Sequence, residues 1–422
     1  MYNVRFFIFV LILVSGFPHG GLYAACALPE EVKIIDDLNF IRNEFSITHI
    51  AKKSELLQKK SLLPVKEMAL GQIPSSISIK NDVYYQDVLN DRGDIKQNDT
   101  TISASLDLME LIQGNVESIA QIDLLLAKTE VLSAQAIERK ETYKSIVEIK
   151  AVNDQIKSFQ KRKLILDRKI EYLRIRQEMG EQVSSDLLDS QAQLIELTSK
   201  IDAAVIKRSR ETTKLEVSII FNPELLGGLS ELAKNLSITC NPEDNFNVTL
   251  AHYQVEIAKR KRDKFLDSNG LGVDFYANRV AENDLGSSEV LNKFTAGLEL
   301  SYPIWQGGAY KAEKATMDND VQLASILKSD ALRFAKDELI DWVNVKKVLE
   351  ATLITNEMKY QGQLEEYKKL TERVSLGDSV FLELSDLAIQ VSLVEEAMIG
   401  IRKDLLLKFL DVLAQYPMKV TE

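Results

Sequence analysis

Residues 294–308 read FTAGLELSYPIWQGG, and the stretch changes character halfway along. Phe294, Ala296, Leu298, Leu300 and Tyr302 alternate with Thr295, Gly297, Glu299 and Ser301. A period of two is a β-strand with one apolar and one polar face. Pro303 has no N–H to give to a sheet, so it ends the strand. Gly307 and Gly308 then permit a tight turn, and a long helical pattern follows. Working outward, the rest of the chain carries this programme twice.

From Leu28 to about Leu62 the spacing is helical, opened by Pro29 with Glu30 and Glu31. Pro74 breaks that pattern. Ile77, Ile79, Val83 and Tyr85 then mark one strand; Ile102, Ala104, Leu106 and Leu108 mark a second, after a polar loop over residues 89–100. Two strands of about ten residues joined by a long polar loop fit a transmembrane β-hairpin. A helix without Gly or Pro runs from Asn115 to about Gln177, roughly 95 Å at 1.5 Å per residue. Ile149, Val152, Ile156, Phe159, Leu166, Ile170 and Leu173 lie on it at coiled-coil spacing, with Lys163 the exception. Met179 and Gly180 make the turn, and a return helix reaches about Ile220, where Asn222-Pro223 stops it. After a linker at 227–240 the order repeats. A helix runs from Asn241 to about Phe265, then a strand at Val273, Phe275 and Ala277, a polar loop over 281–292 and the opening stretch. A second long helix, Ala309 to about Val374, contains no Pro; Gly377 turns the chain. The last helix carries the stripe Leu387, Val391, Val394, Met398, Ile401, Leu405 and Val412.

The two halves match residue by residue. Ile112-Gln113-Gly114 recurs as Trp305-Gln306-Gly307, 193 positions on. Gly180-Glu181-Gln182-Val183 recurs as Gly377-Asp378-Ser379-Val380, 197 positions on, and Asp186, Asp189 and Gln193 fall on Glu383, Asp386 and Gln390. Order kept over two copies marks an internal repeat. The expected organisation is a leader at 1–25, a first repeat at 26–226, the linker at 227–240 and a second repeat at 241–422.

Composition limits the function. Only 18 Gly and 8 Pro punctuate 422 residues, as in long helices. The excess of 63 Asp+Glu over 52 Lys+Arg argues against a binder of nucleic acid or anionic lipid. Arg5, the apolar run Phe6 to Val14 and Ala24-Ala25 read as a secretory signal peptide, the apolar run being about half the roughly 20 residues a membrane-spanning helix needs. No later segment is long and apolar enough either, so a bilayer crossing would have to use strands. An open strand edge in lipid leaves backbone groups unpaired at several kcal/mol each. Four strands cannot close a barrel, so the barrel would have to be shared between chains.

The joint Pro303-Ile304-Trp305-Gln306-Gly307-Gly308, with one extra residue, and the Gly-led tips followed by an acidic helical turn resemble the TolC-type outer-membrane efflux protein family. The likeness covers essentially the whole chain after residue 25 and is more specific in the second copy, since the first lacks the Pro and the second Gly of the joint. It implies a mainly α fold with a transmembrane β part: a homotrimer in which four strands per chain build a 12-stranded barrel in outer-membrane lipid, continuous with a periplasmic coiled-coil tunnel. It also implies a passive exit duct for efflux or type I secretion, working with a periplasmic adaptor protein and an inner-membrane transporter, without a cofactor. By the same resemblance Glu383 and Asp386, with Asp186 and Asp189 in the first copy, line the pore constriction, and Gly180 and Gly377 are the adaptor-docking tips. Where the family's closing network uses a Tyr and an Arg, this chain has Val374 and Ser379.

Enzymatic chemistry finds no support. His49 and His252 stand alone on helical segments, and no Cys/His cluster has metal-ligand spacing. Acids in a first helical turn also favour the helix dipole, whatever else they do. Cys26 and Cys240 each precede a Pro-Glu helix start, and an even pair in an oxidising compartment points to a disulfide. The string LYAAC also resembles an acylation site at Cys26, which would exclude that bond. The alternative function is a periplasmic adaptor or structural coiled-coil protein without a barrel. Adaptors usually carry one hairpin flanked by small β-domains, whereas this chain has two complete repeats.

Overall fold

Two helices without proline set the dimensions of the molecule. The computed structural model describes residues 46–70, 75–86, 95–107, 115–216, 240–268, 272–284, 290–302, 308–376 and 380–417, with isolated positions at 38, 40, 42, 43, 229, 233, 236 and 238. The leader at 1–25, Cys26, the Pro303 to Gly307 joint, the Asn222-Pro223 stop and the Gly377 turn lie outside these residues.

A two-residue strand β1 (Thr48–His49) leads into α1 (Ile50–Ala69), followed by β2 (Ser75–Gln86) and β3 (Ile95–Asp107). Next come α2 (Asn115–Glu178), α3 (Ser184–Thr213) and a short β4 (Leu215–Glu216). The second half begins with a 3-10 turn (Pro242–Asp244), then α4 (Phe246–Ser268), β5 (Gly272–Asp284), β6 (Val290–Ser301), α5 (Ala309–Ser375) and α6 (Phe381–Leu413). The same order of elements recurs: helix, β-hairpin, long helix, return helix.

β2, β3, β5 and β6 form one antiparallel sheet in that spatial order, so the two repeats join through β3 and β5. The register stacks apolar on apolar. Leu106 pairs with Phe275 and Phe275 with Leu298; Ala104 pairs with Ala277 and Ala277 with Ala296. Among the described residues nothing covers this face: Phe294 is 73 % exposed and Leu298 63 %. The strands outrun the alternation that marked them. Residues expected in the polar loops at 89–100 and 281–292 belong to β3, β5 and β6, and pairing continues to Gln97 opposite Asp284. A ladder is held by backbone groups, so it extends through polar side chains once its register is set.

The helices pack side by side. Near the sheet α1 and α4 pack on α2, and α4 packs on α5; farther away the neighbours run α3, α2, α6, α5. The stripe from Ile149 to Leu173 is buried, and its lower residues meet Leu187 and Leu197 of α3, as coiled-coil spacing requires. Gly362 lies within α5 without interrupting it.

Three expectations are corrected. The helix expected from Leu28 to Leu62 is broken at Ser46, which takes φ 49°, and by the pairing of Thr48 with Glu216 and His49 with Leu215. Its second part, α1, then runs through Pro64 to Ala69. The return helix expected to reach Ile220 ends at Thr213, because the chain is drawn into that same two-strand pairing. The segment read as patternless between Gly227 and Cys240 buries Leu229, Ala233 and Leu236, spaced four and three apart, in the largest core. That core also holds Leu38, Ile47, Tyr143, Trp342, Phe409 and Tyr416. Within it, the nearly inaccessible Glu138 carboxylate accepts from Arg42 Nη2 at 2.9 Å, Thr142 Oγ1 at 3.0 Å and the His49 backbone N–H at 3.3 Å. Burial pushes the neighbouring Tyr143 phenol up to about 12.

Candidate functional site: the helical tips and the seam between the repeats

Gly180 ends α2 because the chain there needs φ +89°, open to glycine and strained for other residues. Its N–H donates to Gln177 O at 3.0 Å and the Glu181 N–H to Arg176 O at 3.0 Å, the paired bonds of a Schellman cap. Val183 and Leu187 then fold back on Ile170 and Leu173, and Leu382 of α6 packs on the same cluster. Arg176 pairs with Glu181 and lies 5.7 Å over the Tyr172 ring, which meets Phe381 at 4.8 Å between centroids. The residue before each tip glycine is apolar and open to water: Met179 is 69 % exposed and Leu376 85 %.

The four acids are all exposed, near the starts of α3 and α6. Their surroundings differ. Asp386 accepts from Lys169 Nζ of α2 at 2.5 Å. Asp186 lies in the field of Arg176. Glu383 and Asp189 take no ion-pair partner among the described residues. α3, carrying Asp186 and Asp189, and α6, carrying Glu383 and Asp386, each pack on α2.

Sequence periodicity missed the seam that joins the repeats. Ser158, Arg162, Ile165, Lys169, Tyr172 and Arg176 lie at heptad spacing on α2, and Ser158, Arg162, Lys169 and Tyr172 meet Ser392, Glu396, Asp386 and Phe381 of α6. Ser158 and Ser392 share a hydrogen bond of 3.0 Å. Arg162, 7 % exposed in its side chain, pairs with Glu396. Lys161 meets Glu395 at 3.6 Å, and Lys144 meets Asp411 at 2.6 Å. The α2–α3 seam is apolar with Lys207 paired to Glu148 at its edge, whereas the α2–α6 seam combines the largest apolar core with a series of ion pairs. Its signal was the seven-residue repeat of Ser385, Ser392, Ile399 and Leu406, which a search for apolar residues alone passes over.

His49 and His252 remain apart. The His49 Nδ1 is buried without a hydrogen bond among the described residues, while His252 lies 3.3 Å from Lys328 Nζ, with burial and then that cation lowering its pKa. Among the described residues no group of His, Cys, Asp and Glu is placed to hold a metal ion, and no helix is long and apolar enough to cross a membrane. Cys240 is disulfide-bonded and packs against the largest core.

No protein-family model and no curated protein matches the chain. Solved structures do. A membrane protein of Pseudomonas aeruginosa superposes with TM-score 0.70 at 11% identity, over 94% of this chain and 92% of its own. CusC, whose structures concern transmembrane channel formation, gives TM-score 0.69 at 10% identity over 91% of each chain. The open-state MtrE outer membrane channel of Neisseria gonorrhoeae gives 0.62 at 13%, over 95% of this chain and 92% of its own. The chain shares its fold with these solved membrane proteins over 91% to 95% of its length.

Proposed function

We propose that three copies of this chain form an outer-membrane channel-tunnel, the passive exit duct of an efflux or type I secretion system. The observation that carries this reading is an apolar sheet face continuous with a helical layer, both left open at their edges. β2 and β6 are the sheet's edge strands. α3 and α5 are edge helices, exposing Leu188, Ile195 and Ile206 on one side and Leu323, Phe334 and Val348 on the other. Two different open edges pair head to tail, and such contacts close into a ring. Strands of 12 and 13 residues extend roughly 40 Å, which at the usual tilt of about 40° covers about 30 Å of hydrocarbon.

In this assembly the polar sheet face and the helical layer enclose water. The acids Glu383 and Asp386, with Asp186 and Asp189, would ring the far entrance and favour cations, as rings of carboxylates do in other pores. Asp386 contributes less than a free acid because Lys169 offsets its charge. The tips at Gly180 and Gly377, each preceded by an exposed apolar side chain, are where a periplasmic adaptor would dock and link the duct to an inner-membrane transporter. The test is conductance: purified protein added to a planar lipid bilayer should give discrete, long-lived steps. Protein that stays in the aqueous phase and gives no steps contradicts the channel.

A further inference from the structure

We propose that Cys240 is bonded to Cys26, and that this bond fastens the N-terminal end of the exported chain to the protein's own core in place of a lipid anchor. Cys240 is disulfide-bonded, and the chain contains only two cysteines. Independently of the sulfur, one core brings together the two segments that carry them. Leu38 and Ile47 from the N-terminal side are fully buried with Leu229, Ala233 and Leu236 from the segment that ends at Cys240, and Cys240 and Ile238 pack on the same cluster. Leu38 is twelve residues from Cys26, a reach of at most roughly 40 Å when extended. Leu236 is four residues from Cys240.

The chemistry makes the two fates of Cys26 exclusive. Acylation uses the thiol sulfur as a nucleophile to form a thioether. Disulfide formation takes both thiols instead: each gives up its proton, one S–S bond forms, and two electrons pass to a protein disulfide oxidant, which leaves as a dithiol. A bond between positions 26 and 240 closes a loop of over two hundred residues that includes the first β-hairpin and first helical hairpin. Long loops give the largest restriction of the unfolded chain. The fastening also holds the Leu38 to Ile47 segment over α2, where Arg42 reaches the buried Glu138.

This inference rests on export to an oxidising compartment, as the channel reading does, but not on conductance. Full-length protein is extracted from membranes with thiols blocked by alkylation before any reduction, then digested and weighed. The expected result is a Cys26–Cys240 linked peptide that separates on reduction, with neither cysteine alkylated beforehand. A diacylglycerol thioether on Cys26, two alkylated thiols, or a Cys240–Cys240 peptide between subunits overturns it. A second measurement is the melting temperature of Cys26→Ser, Cys240→Ser and the double variant. Equal loss in the two single variants, with nothing further lost in the double, is expected; loss in one alone, or in none, overturns the fastening. Conductance of the wild-type preparation separates the two readings: steps from wild-type protein whose two cysteines are found unbonded would sink this inference and leave the channel standing.

Discussion

Tyr276 on β5 lies across Gly297 on β6, so closely that a Cβ on Gly297 would sit 2.9 Å from the Tyr276 hydroxyl oxygen and 3.0 Å from its ring. The glycine costs strand propensity, and the aromatic ring laid over it restores contact between the strands. Both residues are on the polar face. Gly297→Val should therefore displace the ring and lower stability by about 1–3 kcal/mol, as overpacking does. Adding Tyr276→Ala to that variant should recover part of the loss. Equal melting temperatures for the single and double variants would show that the two side chains do not compete for space.

Charge should be tolerated on one face of β6 and not on the other. Leu298 is on the uncovered apolar face, while Glu299 alternates to the polar one. Leu298→Arg should cost about 2–4 kcal/mol if it meets the bilayer midplane, and Glu299→Arg little. Yields of heat-resistant assembly in membrane fractions measure this directly. Similar yields would mean that the faces are assigned the wrong way round.

The ionic seam gives a third expectation. Arg162 is nearly inaccessible, and the partner it reaches, Glu396, is partly so. Removing one member leaves a desolvated charge, at about 3 kcal/mol for a well-buried pair, whereas an apolar pair of similar size is often neutral. Arg162→Ala should thus lower the melting temperature more than Arg162→Met combined with Glu396→Leu. The reverse order, read by denaturation of the membrane-extracted protein, would place this pair in solvent.

At the tips, Glu383→Ala with Asp386→Ala should reduce cation selectivity in bilayers and weaken block by multivalent cations. Asp386→Ala alone should turn a neutral ion pair into a free Lys169 ammonium, a change of one charge per chain. Reversal potentials under a salt gradient read the effect. Unchanged selectivity in the double variant would leave these acids as helix-start residues only.

The parts of the fold legible in the sequence are those whose chemistry repeats along the chain. Leu298, Leu300 and Tyr302 declared a strand face, and Ile156, Phe159 and Leu166 declared a coiled-coil seam. Gly180 marked a turn that requires positive φ. The rest was hidden for physical reasons. Arg162 and Lys169 look like surface residues until a partner helix supplies Glu396 and Asp386. Pro64 looks like a helix stop, yet α1 runs through it. The pairing of Thr48 with Glu216 joins positions too far apart for local pattern to connect.

The most direct test of the account is the native mass of the protein extracted from outer membranes in mild detergent. The open edges of sheet and helical layer predict a single species of three chains. A species of one chain, with those edges still exposed in membrane-extracted protein, would contradict the shared barrel and the channel built on it.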